Sequence, residues 1–419
     1  MTGRSTLAQA LGVIALAGML AGCVNQTVKS TSVPTIDTAT DVVPENQLMD
    51  VGIAIFDPGL DEYGDDERVY PEVRKAESRY MPNLLSQAMQ ESGAWGAVRV
   101  VPDPERVSDL IVTGKILHSD GERLELAITA VDSRGYEWLD ETYEGKASAY
   151  AYKSTTRSTY DPFQAVYNNI ANDLLQAMGK LRPTDRENVR LTTDLLFAQS
   201  FSPEAFDGYL AKNRNDVYLL LRLPAENDPM LERIGTIRDR DNLYVDTMQE
   251  YYNAFGVEMI GPYQEWRKLS YEEAIALQEL QADARRRLIA GAVAVAAGIA
   301  GMSSSDSYSR SAGNVAVIGG GYLLKSGLEK RNEAQIHVQA LEELGMSLEA
   351  EITPQVIDLE DRSVTLSGNV EEQYSQWREL LADIYATEIG ALEGPGLDSS
   401  GLDSSGESIS TPDTLQGQR

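Results

Sequence analysis

The stretch DLIVTGKILHSDGERLELAITAV, residues 109–131, determines the class of the fold. Its first half is apolar and β-branched, and the Asp120-Gly121 pair in its middle is typical of a tight hairpin turn. Its second half alternates apolar and polar residues, and the apolar ones share one face of an extended chain: Leu124, Leu126, Ile128 and Ala130. A period of two predicts a strand with one buried face, so the stretch predicts a hairpin that covers a core.

The segments around this hairpin predict more strands and two helices. The predicted elements are strands at 51–56, 97–101, 109–117, 124–131 and 136–143 and helices at 71–91 and 161–180. Pro71 suits the first turn of its helix, because proline lacks the amide hydrogen that this turn leaves unpaired. The order strand, helix, four strands, helix predicts the α+β class, with a small α/β sandwich-type domain and a mixed sheet at residues 51–182.

Downstream of this domain the pattern is first helical, then apolar, then mixed. Residues 183–287 predict a largely helical region, in which we expect one helix to end at Gly256 and another at the arginine triplet 285–287. Residues 326–390 predict a small α+β element that ends in a helix. Residues 391–419 are acidic and repeat the sequence GLDSS, so we predict a disordered tail.

Three short motifs have more than one interpretation. Residues 57–67 hold six acidic residues and no basic one, which favours a solvated loop, with calcium binding as the alternative. His118 lies between a strand and a turn, where a partly exposed structural residue is favoured over a catalytic one. The apolar run Leu219–Pro224 predicts a packed connector between helices.

The composition excludes several classes of function. The chain has 419 residues, with 65 acidic and 36 basic residues and a net charge of −29, which argues against nucleic-acid binding. It has one cysteine and two histidines, so neither a Cys-rich zinc site nor an intrachain disulfide framework is available. We therefore predict no catalytic residue, no metal site and no cofactor, and we expect the protein not to be an enzyme.

The N-terminal residues determine the predicted location of the protein. Residues 1–22 have a basic start and a short apolar stretch, as in a secretory signal peptide. The stretch ends in Leu20-Ala21-Gly22-Cys23, which resembles the bacterial lipobox and implies a covalent lipid on Cys23. Val24 follows instead of aspartate, which by analogy implies the outer membrane, facing the periplasm. Residues 23–50 predict the lipidated cysteine and a flexible tether.

Residues 288–325 consist of two apolar segments rich in glycine and alanine. Each is shorter than the roughly 20 residues that span a bilayer as a helix. Small residues recur at helical spacing, and they are the candidate self-association residues: Gly291, Ala294, Gly298, Ala312, Ala316 and Gly320. A tightly packed helical hairpin is favoured, with the same hairpin inserted in a membrane or a dinucleotide site as alternatives. The segment resembles the glycine zippers of outer-membrane lipoproteins.

The strand from Ser108 to Gly114, the turns that follow it and the order of elements in residues 51–182 resemble a small domain of envelope lipoproteins. Members include the curli-secretion lipoprotein, the N-terminal domain of the Tol-system propeller protein and the activator lipoproteins of peptidoglycan synthases. The resemblance implies a protein-binding module without catalysis.

The sequence therefore predicts a non-catalytic assembly or interaction component of a cell-envelope complex, related to secretion or surface structures. Its predicted partners are the membrane, through the lipid anchor, envelope proteins and further copies of the chain, but not nucleic acid. Regulation of peptidoglycan synthesis through residues 51–182 is the main alternative. An enzyme that acts on glycan is the alternative from another class.

Overall fold

The computed structural model describes residues 26–29, 33–38, 43–61, 69–153, 161–225, 227–300, 338–340, 342–343, 346, 355–358 and 363–390. The strands are β1 (Gln26–Lys29), β2 (Val51–Ala54), β3 (Val98–Val101), β4 (Leu110–Ser119), β5 (Arg123–Asp132), β6 (Glu137–Lys146), β7 (Leu210–Lys212), β8 (Tyr218–Leu220), β9 (Gln355–Asp358) and β10 (Ser363–Leu366). The α-helices with described limits are α1 (Pro71–Glu91), α2 (Gln164–Gly179), α3 (Pro183–Phe201), α4 (Pro229–Ala300) and α5 (Val370–Gly390).

The fold is α+β, as the sequence predicts. A mixed sheet has the strand order β1-β6-β5-β4-β2-β3. Strands β4, β5 and β6 are antiparallel neighbours, whereas β2 is parallel to both β4 and β3. Strand β1 is parallel to β6 and lies beside its C-terminal half. Between β2 and α2 the order of elements is the predicted one, so the hydrophobic periodicity identified each element correctly.

The first core lies between this sheet and helices α1 and α2. Side chains of β5 are alternately buried and half-buried, and the predicted inner face is completely buried: Leu124, Leu126, Ile128 and Ala130. Gly145 of β6 lets α2 approach closely, because a Cβ atom there would lie 2.6 Å from Cγ2 of Val166. The opposite face of β5, which carries most of its polar side chains, is half-buried.

A second core joins the sheet to the helical and C-terminal regions. It contains residues from β2, α1, β3, α3, α4, β10 and α5, among them Ala54, Val73, Val100, Phe197, Met248, Leu366 and Trp377. The regions 51–182, 183–287 and 326–390 thus contribute to one buried cluster. The first core belongs almost entirely to residues 51–182, whereas the second core is shared. The limits of the three regions as domains remain a prediction.

Helix α4 differs most from expectation. It runs without a break through 72 residues, so the predicted helix ends at Gly256 and at the arginine triplet were wrong. Gly256 stays helical because it packs on α1, where a Cβ atom would lie 2.5 Å from the Asn83 amide nitrogen. Large buried side chains flank it on the same face, Tyr252 and Met259 among them, and tertiary packing outweighs the weak helix propensity of glycine. At 1.5 Å per residue the helix is about 110 Å long.

The described part of the predicted tether contacts the folded body. Nδ2 of Asn168 in α2 donates to the carbonyl oxygen of Pro34 at 2.8 Å, and Nδ2 of Asn172 donates to that of Thr35 at 3.0 Å. Nδ2 of Asn46 donates to Oε1 of Glu187 in α3 at 2.7 Å. These residues therefore lie along α2 and α3, unlike the free tether that the polar composition suggested.

Two short motifs also differ from their interpretation. His118 belongs to β4 rather than to a turn, and its Nε2 lies 2.9 Å from Oδ2 of Asp120. The run Leu219–Pro224 is packed only in part, because Leu220 packs against the second core while Leu221 and Leu223 are 60% and 69% exposed. Sequence pattern could not detect this, since an apolar run is equally consistent with burial and with a binding surface.

Candidate assembly site

Helix α4 joins the α/β domain through buried charged and polar side chains, here called the buried polar cluster: Glu77, Ser119, Asp161, Tyr263 and Arg267. Oε1 of Glu77 accepts hydrogen bonds from the Ser119 hydroxyl and the Tyr263 hydroxyl, both at 2.5 Å. Nη1 of Arg267 donates to Oδ1 of Asp161 at 3.1 Å. Glu77 and Arg267 are completely buried, so each charge depends on its partners.

Aromatic rings complete the surroundings of Arg267. Its guanidinium carbon lies 4.4 Å from the ring centroid of Phe163 and 4.3 Å from that of Tyr263. Its Nε and Nη2 have no hydrogen-bond partner among the described residues, and the ring faces stabilise this charge instead. Burial lowers the pKa of Arg267, but Coulomb interactions with Tyr263 and Asp161 outweigh it and hold the pKa well above its usual range. The guanidinium therefore stays charged.

The tyrosine hydroxyls of the same region stay protonated. Burial, the largest cause, raises the pKa of Tyr263 and the pKa of Tyr167 well above the usual value. A protonated Tyr263 can donate its hydroxyl hydrogen to Oε1 of Glu77, as the observed hydrogen bond requires. The buried polar cluster thus fixes the rotation of α4 relative to α1 and to the end of β4.

The course of α4 runs from one end of the sheet to the other. Near its start, Oδ2 of Asp241 accepts from Nη2 of Arg106 at 3.1 Å, in the β3–β4 connection. Farther along, the Ser270 hydroxyl accepts from the amide of Gly121 at 3.1 Å, in the β4–β5 turn. Nε2 of Gln278 donates to Oε2 of Glu122 in the same turn at 2.6 Å. Helix α4 therefore passes the sheet at the β4–β5 turn and continues to Ala300.

The predicted self-association residues begin beyond this turn. Gly291, Ala294 and Gly298 belong to the helical backbone of α4, in its last turns. Ala312, Ala316 and Gly320 lie outside the described residues, as do the lipobox residues Leu20, Ala21 and Gly22 and the lipidation residue Cys23. The helical hairpin and the lipid anchor therefore remain predictions, and residues 288–300 of the apolar segment are helical.

A groove between β6 and α2 was not predicted. It has a volume of about 410 Å³, and its lining residues are Arg134, Tyr136, Glu137, Trp138, Ala177, Lys180, Leu181 and Asp185. A bulge between β5 and β6 coincides with Trp138, whose Nε1 donates to Oδ2 of Asp132 at 3.0 Å. The groove combines an indole ring, an exposed lysine and carboxylates, which suits a polar peptide segment.

The part of the chain that the structure describes contains no group of side chains arranged as a metal centre. Groups of three or more histidine, cysteine, aspartate or glutamate residues arranged to hold a metal ion do not occur there. Most of the acidic loop 57–67, with its calcium alternative, lies outside the described residues. Among the described residues, no helix has both the length and the apolar character needed to cross a bilayer.

Comparisons with known proteins add no relationship to these observations. No protein-family model matches the chain. No curated protein matches it either. The resemblance of residues 51–182 to envelope lipoprotein domains therefore rests on the sequence pattern alone.

Sequence reasoning missed Arg267 and Glu77, although both are central to the attachment of α4. They are 190 positions apart in the chain, and an arginine or glutamate in an amphipathic helix ordinarily lies at the surface. A usable signal was the position of Arg267 directly after the aromatic residues Tyr263 and Trp266. An arginine in such a stretch indicates a buried acidic partner, but the sequence does not identify that partner.

Proposed function

We propose that this protein is a lipoprotein anchored to the outer membrane and facing the periplasm, where it acts as a non-catalytic assembly component of a cell-envelope complex. The lipid on Cys23 attaches the α/β domain to the membrane, and α4 presents the Gly/Ala-rich segment to other copies or to partner proteins. The observation that carries the proposal is the attachment of α4 by the buried polar cluster. Such an attachment supports the role of α4 as a rigid spacer between the α/β domain and the Gly/Ala-rich segment.

Self-association is tested by light scattering of the chain without its signal peptide. A variant with Gly291→Leu and Gly298→Leu should have a lower oligomer mass than the wild type, because larger side chains prevent close helix approach. Gly179→Leu is the control, since a Cβ atom at Gly179 meets open space. A wild type that is monomeric with and without detergent would contradict the assembly role of this segment.

The anchor is tested separately in cells. Labelling with a palmitate analogue should mark the wild-type protein and should be lost in Cys23→Ala. Persistent labelling of the variant would show that the lipid is attached elsewhere or that the lipobox assignment is wrong.

A further inference from the structure

The β7–β8 ribbon and the residues after it, here called the leucine hairpin (residues 209–223), expose an apolar face. Leu219, Leu221 and Leu223 are 44%, 60% and 69% exposed. Leu219 and Leu221 flank Leu220 in the chain and share one face, and Leu223 follows after a bend at Arg222, whereas Leu210 and Leu220 pack against the second core. Three exposed leucines within five residues are unusual on a soluble surface and indicate a binding face.

The charge of the leucine hairpin is opposite to that of the protein. Residues 209–223 contain Lys212, Arg214 and Arg222 but only one acidic residue, Asp216, in a chain with a net charge of −29. The guanidinium of Arg222 lies over the ring of Tyr209, 3.9 Å from its centroid, which holds it beside the leucines. Leucines flanked by basic side chains suit the boundary between lipid headgroups and acyl chains.

The neighbouring turn extends this surface. The backbone amide of Tyr218 donates to the carbonyl oxygen of Arg134 at 2.7 Å, which joins the leucine hairpin to the β5–β6 turn. Tyr136 in that turn is 47% exposed, and tyrosine is typical of membrane interfaces. The exposed Lys180 lines the same groove as Tyr136 and adds another positive charge.

This surface lies at the end of the sheet opposite to the one that α4 passes. The leucine hairpin contacts Arg134 in the β5–β6 turn, whereas α4 contacts Gly121 in the β4–β5 turn. A membrane at the leucine hairpin would therefore leave the C-terminal part of α4 directed away from it.

We propose that the leucine hairpin docks on the surface of an anionic phospholipid bilayer, with its leucines below the headgroups and its basic residues at the phosphates. The presence of a membrane near the protein rests on the proposed function, whereas binding of the hairpin to lipid does not. Docking makes the α/β domain lie in a fixed orientation on the membrane, with α4 leaving on the far side.

The test is cosedimentation of the unlipidated chain, residues 23–419 with Cys23→Ser, with lipid vesicles. The chain should bind vesicles of phosphatidylcholine with phosphatidylglycerol, bind phosphatidylcholine alone less, and be released by salt. Leu221→Ser with Leu223→Ser should weaken binding about tenfold or more, because each leucine buries apolar area in the interface. Lys212→Glu with Arg214→Glu should weaken binding to the anionic vesicles in particular.

The matched control is Leu243→Ser with Val257→Ser, which removes two equally exposed apolar side chains from α4, at 67% and 71% exposure. This variant should bind vesicles like the wild type. Circular dichroism verifies folding of each variant, and Leu221→Trp gives a second readout, a blue-shifted fluorescence when vesicles are added. Failure of the wild type to bind, equal binding of the hairpin variants, or binding only to another protein would overturn the proposal. A lost lipid label on Cys23 concerns the anchor and leaves the vesicle result unchanged.

Discussion

At the residue scale, Asp120 shows how one carboxylate shapes the turn to which α4 attaches. Its Oδ1 accepts the backbone amides of Glu122 and Arg123, both at 2.7 Å, while Oδ2 contacts His118. Burial raises the pKa of Asp120, but the hydrogen bond to His118 and these amides outweigh burial and lower it below the usual value. A lowered pKa in the folded state stabilises the fold above the pKa of the unfolded chain, about 3.9, and the stabilisation is lost as the pH falls through the folded value.

Asp120→Asn should therefore destabilise the protein by about 1 kcal/mol at neutral pH, because the charge-assisted hydrogen bonds become weaker. The difference from wild type in urea unfolding should narrow as the pH falls below the usual pKa of aspartate and Asp120 of the wild type becomes protonated. Asp239→Asn, at an exposed position of α4, is the control and should show no such trend. A difference that stays constant with pH would contradict this role of Asp120.

Arg267 is the second residue whose charge has a structural role. Arg267→Met should lower the free energy of unfolding by about 3–5 kcal/mol, because Asp161, whose side chain is 5% exposed, would lose its guanidinium partner. Lys268→Met changes the next, half-buried residue and should cost about 0.5 kcal/mol or less. Hydrogen exchange should show faster opening of α4 near Tyr263 in the first variant alone. Equal effects of the two substitutions would show that the buried polar cluster does not attach α4.

At the element scale, the middle of α4 stays helical because buried side chains of one face, Tyr252, Met259 and Tyr263 among them, pack in the second core. Gly256 and Gly261 are both within it, but only Gly256 lies against α1. Substitution of the two glycines therefore separates the contribution of intrinsic helix propensity from that of packing. At Gly256 the contact with α1 dominates the free energy of unfolding, whereas at Gly261 helix propensity dominates it.

Gly261→Ala should raise the free energy of unfolding by about 1 kcal/mol, since its Cβ atom meets open space and alanine is the better helix former. Gly256→Ala should lower it instead, because its Cβ atom would displace the buried Asn83 amide. Thermal or urea unfolding of the two variants measures whether the free energy of unfolding rises or falls in each. A stabilising Gly256→Ala would contradict the close contact between α4 and α1.

At the scale of the whole molecule, the second core joins the sheet to the helical and C-terminal regions, so we expect these regions to unfold together. Trp377 of α5 stacks on Tyr244 of α4 with ring centroids 4.7 Å apart, and its Nε1 donates to Asp241 at 3.2 Å. The same core includes Val100 of β3 and Val73 of α1. Loss of one large side chain from this core should therefore destabilise the sheet as well as the helices.

Trp377→Ala should lower the free energy of unfolding by about 3–5 kcal/mol, as for other buried large-to-small changes. Hydrogen exchange should show loss of protection in β5 and α5 at the same denaturant concentration. Leu243→Ala, at an exposed position of α4, is the control and should have little effect. Protection that persists in β5 while α5 exchanges would show that the C-terminal region is an independent domain.

The sequence by itself determined the elements whose pattern is local. Strand β5 alternates, α1 begins at a proline, and the order of elements from β2 to α2 could be predicted because hydrophobic periodicity depends on neighbours a few positions away. The lipid anchor is likewise a local motif, although its chemistry remains to be tested. Only the tertiary structure decided the continuity of α4, the burial of Arg267 and the exposure of the leucine hairpin. These depend on contacts between distant positions, such as the bond from Tyr263 to Glu77, 186 residues apart, and no local pattern specifies which distant residues will meet.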